Sequence, residues 1–229
     1  MVKVKEDNHE EDSAILLSKI PDNTDKKGVI HIGAHLGEEA ELYFKSGFNE
    51  IVFVEANPKT FLKLKEKFKN DTRVKCFNAA ISEKTEPCKF RVYASRTNNT
   101  ESSSILPFDQ FDKIVSTLKL VEEIDVMSFT LPMFMDENNL NPKNFNLLVS
   151  DIQGADYLAL LGAKELLTGF DYIITELNYI SLYKDSKNDD KIKELLSFLS
   201  FNVEEEIVHT LYEGDTVFPA WGEALFIKK

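Results

Sequence analysis

The chain has 229 residues, 43% of them apolar, enough to bury the core of one large α/β domain or two small ones. Its formal net charge of −12 at pH 7 argues against a nonspecific grip on nucleic acid, whose affinity rests on lysine and arginine meeting phosphates. Two cysteines, Cys76 and Cys88, are too few for a disulfide framework. No apolar run reaches membrane-spanning length and no basic-then-apolar leader opens the chain, so the expectation is a soluble, cytoplasmic protein with no membrane partner.

Residues 1–12 are charged and expected to fray. Residues 13–20 have helical spacing, with Ile15, Leu16 and Ile20 on one face, and Pro21 follows them. Residues 1–27 thus read as a tail and helix ahead of a single domain spanning 28–229. Val29-Ile-His-Ile32 then reads as a strand that runs into a loop containing Gly33 and Gly37, and a helical pattern follows over 38–44. Two glycines let the backbone turn sharply and approach a ligand closely, and the first helical N–H groups are expected to face that ligand. Ile51-Val-Phe-Val54 is continuously apolar, as a parallel strand buried on both faces requires, and it ends at Glu55. Asn57-Pro58 opens a helix through Phe68, because Asn caps and Pro suits the first helical position. Residues 73–78 form a third strand. The β-α-β-α-β order is that of a doubly wound sheet.

The middle is less regular. An insertion around 84–146 holds extra strands at 89–93 and 121–127, a serine-rich loop at 94–104, and a short helix capped by Thr130. Leu147-Leu-Val149 is a fourth parallel strand that ends at Asp151. One helix is expected over 155–167, then a fifth strand at 172–175 ending at Glu176, an amphipathic helix at 192–198, and final strands at 201–208 and 224–227.

Glu55, Asp151 and Glu176 therefore stand at the C-terminal ends of strands, where open α/β sheets bind ligands. Glu55 follows Gly33 by 22 residues (55 − 33), which suits a carboxylate accepting hydrogen bonds from both ribose hydroxyls of a nucleoside. The glycine pattern is G-x-x-x-G and lacks the G-x-G-x-x-G spacing that holds a pyrophosphate. A nucleoside cofactor without a diphosphate is favoured over NAD, and a nucleotide-dependent oxidoreductase is disfavoured for the same reason. S-adenosylmethionine fits, with adenosine at Glu55 and its methionine end at the glycine loop.

At these residues the chain resembles the FkbM-type S-adenosylmethionine-dependent methyltransferases. Val29-Ile-His-Ile-Gly-Ala-His-Leu-Gly37 is similar to the family's V-x-D-x-G-A-N-x-G, and Val54-Glu-Ala-Asn-Pro58 to the turn after its second strand. Asn78-Ala-Ala-Ile-Ser82 and Ser102-Ser-Ser-Ile-Leu106 follow in order. Ser150-Asp-Ile-Gln-Gly-Ala-Asp-Tyr-Leu-Ala-Leu-Leu-Gly-Ala163 is the most specific match. The resemblance implies an α/β, class I methyltransferase (Rossmann-like) doubly wound sheet of seven mostly parallel strands, the last antiparallel, with helices on both faces. It implies methyl transfer to a hydroxyl of a sugar, glycan or small metabolite. Its motifs put His31, Gly33, Ala34, His35, Gly37, Glu55, Ala56, Ala80, Ile81, Ser103, Asp151 and Gln153 around the cofactor.

Asp151 is the first choice beside the transferred methyl group, with Glu176 next to it and His209 as an alternative base. Asp151, Glu176 and Asn178 offer hard oxygen ligands of the kind Mg²⁺ takes, but no metal is assigned. His31 stands where the family has Asp, and His35 where it has Asn. The family's Asp supports the methionine end of the cofactor, and a histidine supplies no fixed negative charge there. That departure motivates an alternative, a catalytically inert S-adenosylmethionine- or nucleoside-binding module with the same fold.

Overall fold

The structure, a computed structural model, describes residues 3, 4, 9–97, 99–110, 114, 117–213 and 216–229. Residues 1, 2 and 5–8 of the expected frayed tail lie outside the described residues. Eleven strands and seven α-helices are described. In chain order they are β1 (Lys3–Val4), α1 (His9–Ser18), β2 (Gly28–Ile32), α2 (Ala40–Lys45), β3 (Glu50–Glu55), α3 (Pro58–Phe68), β4 (Val74–Asn78), β5 (Ala80–Ile81), β6 (Glu86–Ala94), β7 (Lys119–Phe129), α4 (Leu131–Glu137), β8 (Phe145–Ser150), α5 (Asp156–Gly162), α6 (Lys164–Leu167), β9 (Tyr172–Asn178), α7 (Asp189–Phe198), β10 (Phe201–Glu213) and β11 (Thr216–Lys228).

The main sheet runs β1-β10-β11-β9-β8-β2-β3-β4. Strands β4, β3, β2, β8 and β9 are parallel neighbours, and β11 is antiparallel to both β9 and β10. Seven strands thus form a mostly parallel sheet whose last strand is antiparallel. The two-residue β1 adds an eighth along the β10 edge. Of the parallel strands, β2, β3, β8 and β9 are buried on both faces, which is why they read as continuous apolar runs.

Alternate residues of each strand serve opposite cores. Ile30, Ile32, Val52, Val54 and Leu148 pack under α4, α5, α6 and α7, through residues such as Phe134, Leu160, Leu167 and Leu196. Val29, Ile51, Phe53, Leu147 and Val149 pack under α1, α2 and α3, through Leu16, Leu17, Tyr43 and Leu64. His31 belongs by its pleat to the second face, against Tyr43 and Phe53. Asn57 starts α3 by accepting the Lys59 N–H, and Thr130 starts α4 by accepting that of Met133.

Several elements differ from the sequence expectation. The helix expected over 155–167 breaks at Ala163 into α5 and α6. Gly162, the last residue of α5, lies so close to the Ser82 carbonyl that a Cβ would sit 2.4 Å from it. α1 starts at His9, so residues 9–12 are helical, and α2 starts at Ala40. The last two strands are 13 residues each and form one long hairpin, whose register shift between His209 and Thr210 accommodates Pro219. Short β5, unforeseen, pairs with β7 in a second sheet of order β5-β7-β6, which stands beside the main sheet.

Candidate active site

The chain leaves β2 for β3 and β4 on one side and returns through β8 on the other. The crevice between the C-terminal ends of β2 and β8 is the ligand position of an open α/β sheet. A cavity of about 290 Å³ lies there. Gly33 allows the two strand ends to meet. Its φ is +86°, and a Cβ would fall 1.8 Å from the Asp151 carbonyl oxygen, so no side chain is tolerated. The Gly33 and Ala34 N–H groups both donate to the Val54 carbonyl, at 2.9 and 3.1 Å, and the Asp151 N–H donates to Ile32 at 3.0 Å.

Glu55 ends β3 in the cavity wall and is 7% exposed. Its Oε2 accepts the His35 N–H at 2.9 Å and its Oε1 the Asn57 N–H at 2.7 Å. Burial nevertheless pushes its pKa up to about 7. Glu38 accepts the Leu36 N–H at 3.1 Å, and the Gly37 N–H donates to Ala34. The amides of the glycine loop, expected to face the ligand, are thus satisfied within the protein. The loop presents carboxylates to the cavity where a phosphate-binding loop would present N–H groups.

His31 lies beneath the cavity and is 4% exposed. Burial holds its pKa down to about 4 against the pull of Asp151 and Glu38, so the ring is neutral at pH 7. The Tyr43 hydroxyl lies 3.0 Å from Nδ1. Burial keeps that phenol protonated, and which of the two groups donates follows the His31 tautomer. His35, with φ +44°, has Nδ1 3.4 Å from Glu38 and 3.7 Å from Glu101. Those carboxylates outweigh partial burial and raise its pKa.

Asp151 reaches the cavity from the end of β8, and its Oδ1 accepts the Gln153 amide N–H at 2.8 Å. The Gln153 side-chain oxygen Oε1 in turn accepts the Tyr183 hydroxyl at 2.8 Å. Asp156 holds the same turn, its Oδ1 accepting from the Ser150 hydroxyl and the Ile152 N–H, and burial raises its pKa. Ser103, from the serine-rich loop, closes the far side, bonded to Tyr93 and Thr100.

The cavity brings together every residue placed at the cofactor by sequence except Gly37. The missing Cβ of Gly37 faces Phe53, Phe68 and Leu64, so that glycine serves helix–sheet packing. Two of the catalytic candidates, Glu176 and His209, are not among the residues that line the cavity. Glu176 is buried outside the cavity lining, where it accepts the Gly154 N–H at 3.1 Å and steadies the loop carrying Asp151. His209 lies away from the cavity, its Nε2 2.8 Å from Asp12 of α1 and its ring stacked near Trp221. Among the described residues no group of three or more His, Cys, Asp or Glu side chains is arranged to hold a metal ion.

Sequence reasoning missed Glu38, Glu39 and Glu101, which line the same cavity. The signal was present in the glutamates directly after the glycine loop, but acidic residues at a helix start also favour the helix dipole. Among the described lining residues there are six carboxylates (Glu10, Glu38, Glu39, Glu55, Glu101 and Asp151) and no lysine or arginine.

This sheet order, with its crevice between β2 and β8, is that of the class I S-adenosylmethionine-dependent methyltransferases. A Listeria monocytogenes protein described as such a methyltransferase superposes with a TM-score of 0.55 at 9% identity, over 97% of this chain and 100% of its own. A Streptococcus pneumoniae protein described as a tRNA methyltransferase superposes at 0.51 with 7% identity, over 98% and 71%. These likenesses concern the fold. The profile of the Methyltransferase FkbM domain matches residues 31–205, and the chain belongs to that family. A family member of known structure, from Methylobacillus flagellatus, aligns at TM-score 0.48 and 11% identity over 88% of this chain, which spans 43% of that longer protein. No curated protein matches the sequence.

S-adenosylmethionine is the cofactor of this class, and the residues present fit it. Its sulfonium and ammonium are cationic, and the cavity offers carboxylates without a competing lysine or arginine among the described residues. Glu55, buried at a strand end in the cavity wall, suits a ribose diol.

Proposed function

We propose that the protein is an O-methyltransferase acting on a hydroxyl of a sugar, glycan or small metabolite. The observation that carries this reading is the Asp151 carboxylate, held by Gln153 at 2.8 Å inside an acidic cavity of about 290 Å³. The bound cofactor supplies an electrophilic methyl group on sulfur. The chain's own residues bind it and prepare the acceptor. Glu55 takes the ribose hydroxyls, and the Gly33–His35 backbone with Ala56, Ala80 and Ile81 walls the nucleoside. Asp151 orients the acceptor hydroxyl and accepts its proton as the oxygen becomes nucleophilic. Gln153 keeps one Asp151 oxygen engaged so that the other is aimed, which serves the alignment an in-line displacement needs. A cavity rich in carboxylates repels phosphorylated acceptors, which favours neutral ones.

The second reading, an inert cofactor-binding module, is favoured by the neutral His31 at the family's Asp position. Labelled S-adenosylmethionine incubated with a panel of neutral glycans and hydroxylated metabolites separates the two. With an acceptor found, Asp151→Asn is expected to reduce turnover about a hundredfold or more while S-adenosylhomocysteine binding changes less than threefold. Tight cofactor binding with no transfer to any acceptor would leave the inert module standing. Equal loss of turnover and binding would remove Asp151 as the base.

A further inference from the structure

We propose that Glu39 holds the α-ammonium group of S-adenosylmethionine, supplying from the next loop the negative charge that position 31 lacks. This rests on the cofactor site described above and assigns a binding role to a residue outside the family's motif.

The cavity's carboxylates differ in where they are turned. Glu55 is engaged by the backbone amides of His35 and Asn57 at the β3 end. Glu38 turns to the Leu36 amide and the His35 ring. Asp151 is held by Gln153 at the β8 end. Glu39 instead faces His31, with Oε2 3.9 Å from Nδ1 and its side chain 15% exposed. The His31 ring is neutral and its Nδ1 lies 3.0 Å from the Tyr43 hydroxyl, so it adds no charge of either sign to this end of the cavity. Tyr43 feels the same carboxylate, since burial and then the charge of Glu39 keep its phenol protonated.

A nucleoside that carries an amino acid has its diol and its ammonium at opposite ends. With the diol at Glu55, the ammonium lies toward the β2–α2 side, where Glu39 and Asp151 flank His31. A partly buried carboxylate binds an ammonium more strongly than an exposed one does, because less water competes. The charge is therefore carried eight residues further along the chain (39 − 31), on the loop before α2, and is not lost.

The test compares two ligands by titration calorimetry: S-adenosylhomocysteine, and 5′-methylthioadenosine, which keeps the nucleoside thioether and lacks the amino acid end. The unmodified protein is expected to prefer S-adenosylhomocysteine by roughly tenfold or more, the range of a charge-assisted hydrogen bond. Glu39→Gln is expected to reduce that preference to within about threefold, with 5′-methylthioadenosine affinity unchanged, which also shows that the variant is folded. Adding His31→Asp to Glu39→Gln is expected to restore the preference. A Glu39→Gln protein that binds 5′-methylthioadenosine normally and still strongly prefers S-adenosylhomocysteine overturns the proposal alone. Failure of the unmodified protein to bind either ligand overturns the cofactor site on which it rests.

Discussion

Two histidines eight and four residues before Glu39 show how completely surroundings set chemistry at the scale of one side chain. His31 is enclosed between Tyr43 and Phe53, and burial wins over two nearby acids. His35 is only partly buried, its side chain 25% exposed, and lies between Glu38 and Glu101, and there the acids win. A two-dimensional NMR titration of the ring signals is expected to give His31 a midpoint near 4 and His35 a midpoint above the ordinary 6.5. Linkage gives the sign. Between pH 6.5 and 4 the unfolded chain protonates residue 31 before the native state does, so His31 makes the fold less stable as pH falls through that window. A His31 midpoint above 7 would mean that the ring is largely charged at neutral pH and that the site electrostatics differ. Gly37 teaches the same lesson at the backbone. By spacing it looks like a ligand glycine, yet its small volume is used by three side chains on the far side of the loop.

At the scale of elements, α1 is joined to the domain more firmly than a leading tail would be. Leu16, Leu17 and Ile20 are all nearly inaccessible in the core they share with Tyr43 and Phe53, and Glu10 reaches the cavity wall. Each such side chain contributes roughly 1.5–3 kcal/mol by burial, a large part of a typical domain's net stability. Asp12 and His209 link α1 to β10 across 197 residues of sequence. His209→Ala is expected to lower the melting temperature by a few degrees, corresponding to about 1 kcal/mol, with S-adenosylhomocysteine affinity unchanged. An intact melting temperature combined with lost methyl transfer would return His209 to the catalytic machinery. The longer final strands have a related origin. Charged residues such as Glu204, Glu205 and Glu206 obscure alternation in sequence, whereas the antiparallel ladder with β11 skips Glu204 at a register shift and resumes at Glu205.

Over the whole molecule, net charge and cavity charge have the same sign. The chain carries −12 overall, and the described cavity wall has carboxylates only among its fixed charges. Polyanions should therefore be repelled at both long and short range. Fluorescence anisotropy with a labelled transfer RNA at about 100 mM salt is expected to show no saturable binding below roughly 10 μM, weaker than ordinary nonspecific nucleic-acid binders. Saturation at submicromolar concentration would place the acceptor among the nucleic acids. No helix among the described residues is long and apolar enough to cross a membrane.

Much of this was legible in the linear chain. The β-α-β-α-β order, the Gly33 turn and the strand-end positions of Glu55 and Asp151 follow from local causes: continuous apolar runs, caps and a glycine where only positive φ serves. Family motifs in order added the sheet class and the cofactor. What required the tertiary structure was the side to which each polar group turns. Glu176, near the end of β9, and Asp151, just past β8, both stand at C-terminal strand ends, but one is buried against the Gly154 amide and the other lies in the cavity wall. His209 and Asp12 meet only because the last hairpin carries β10 past α1. The wall of glutamates was hidden for the same reason. Sequence lists charges along a line, and burial, charge proximity and pKa arise only when distant segments share one small volume of low dielectric.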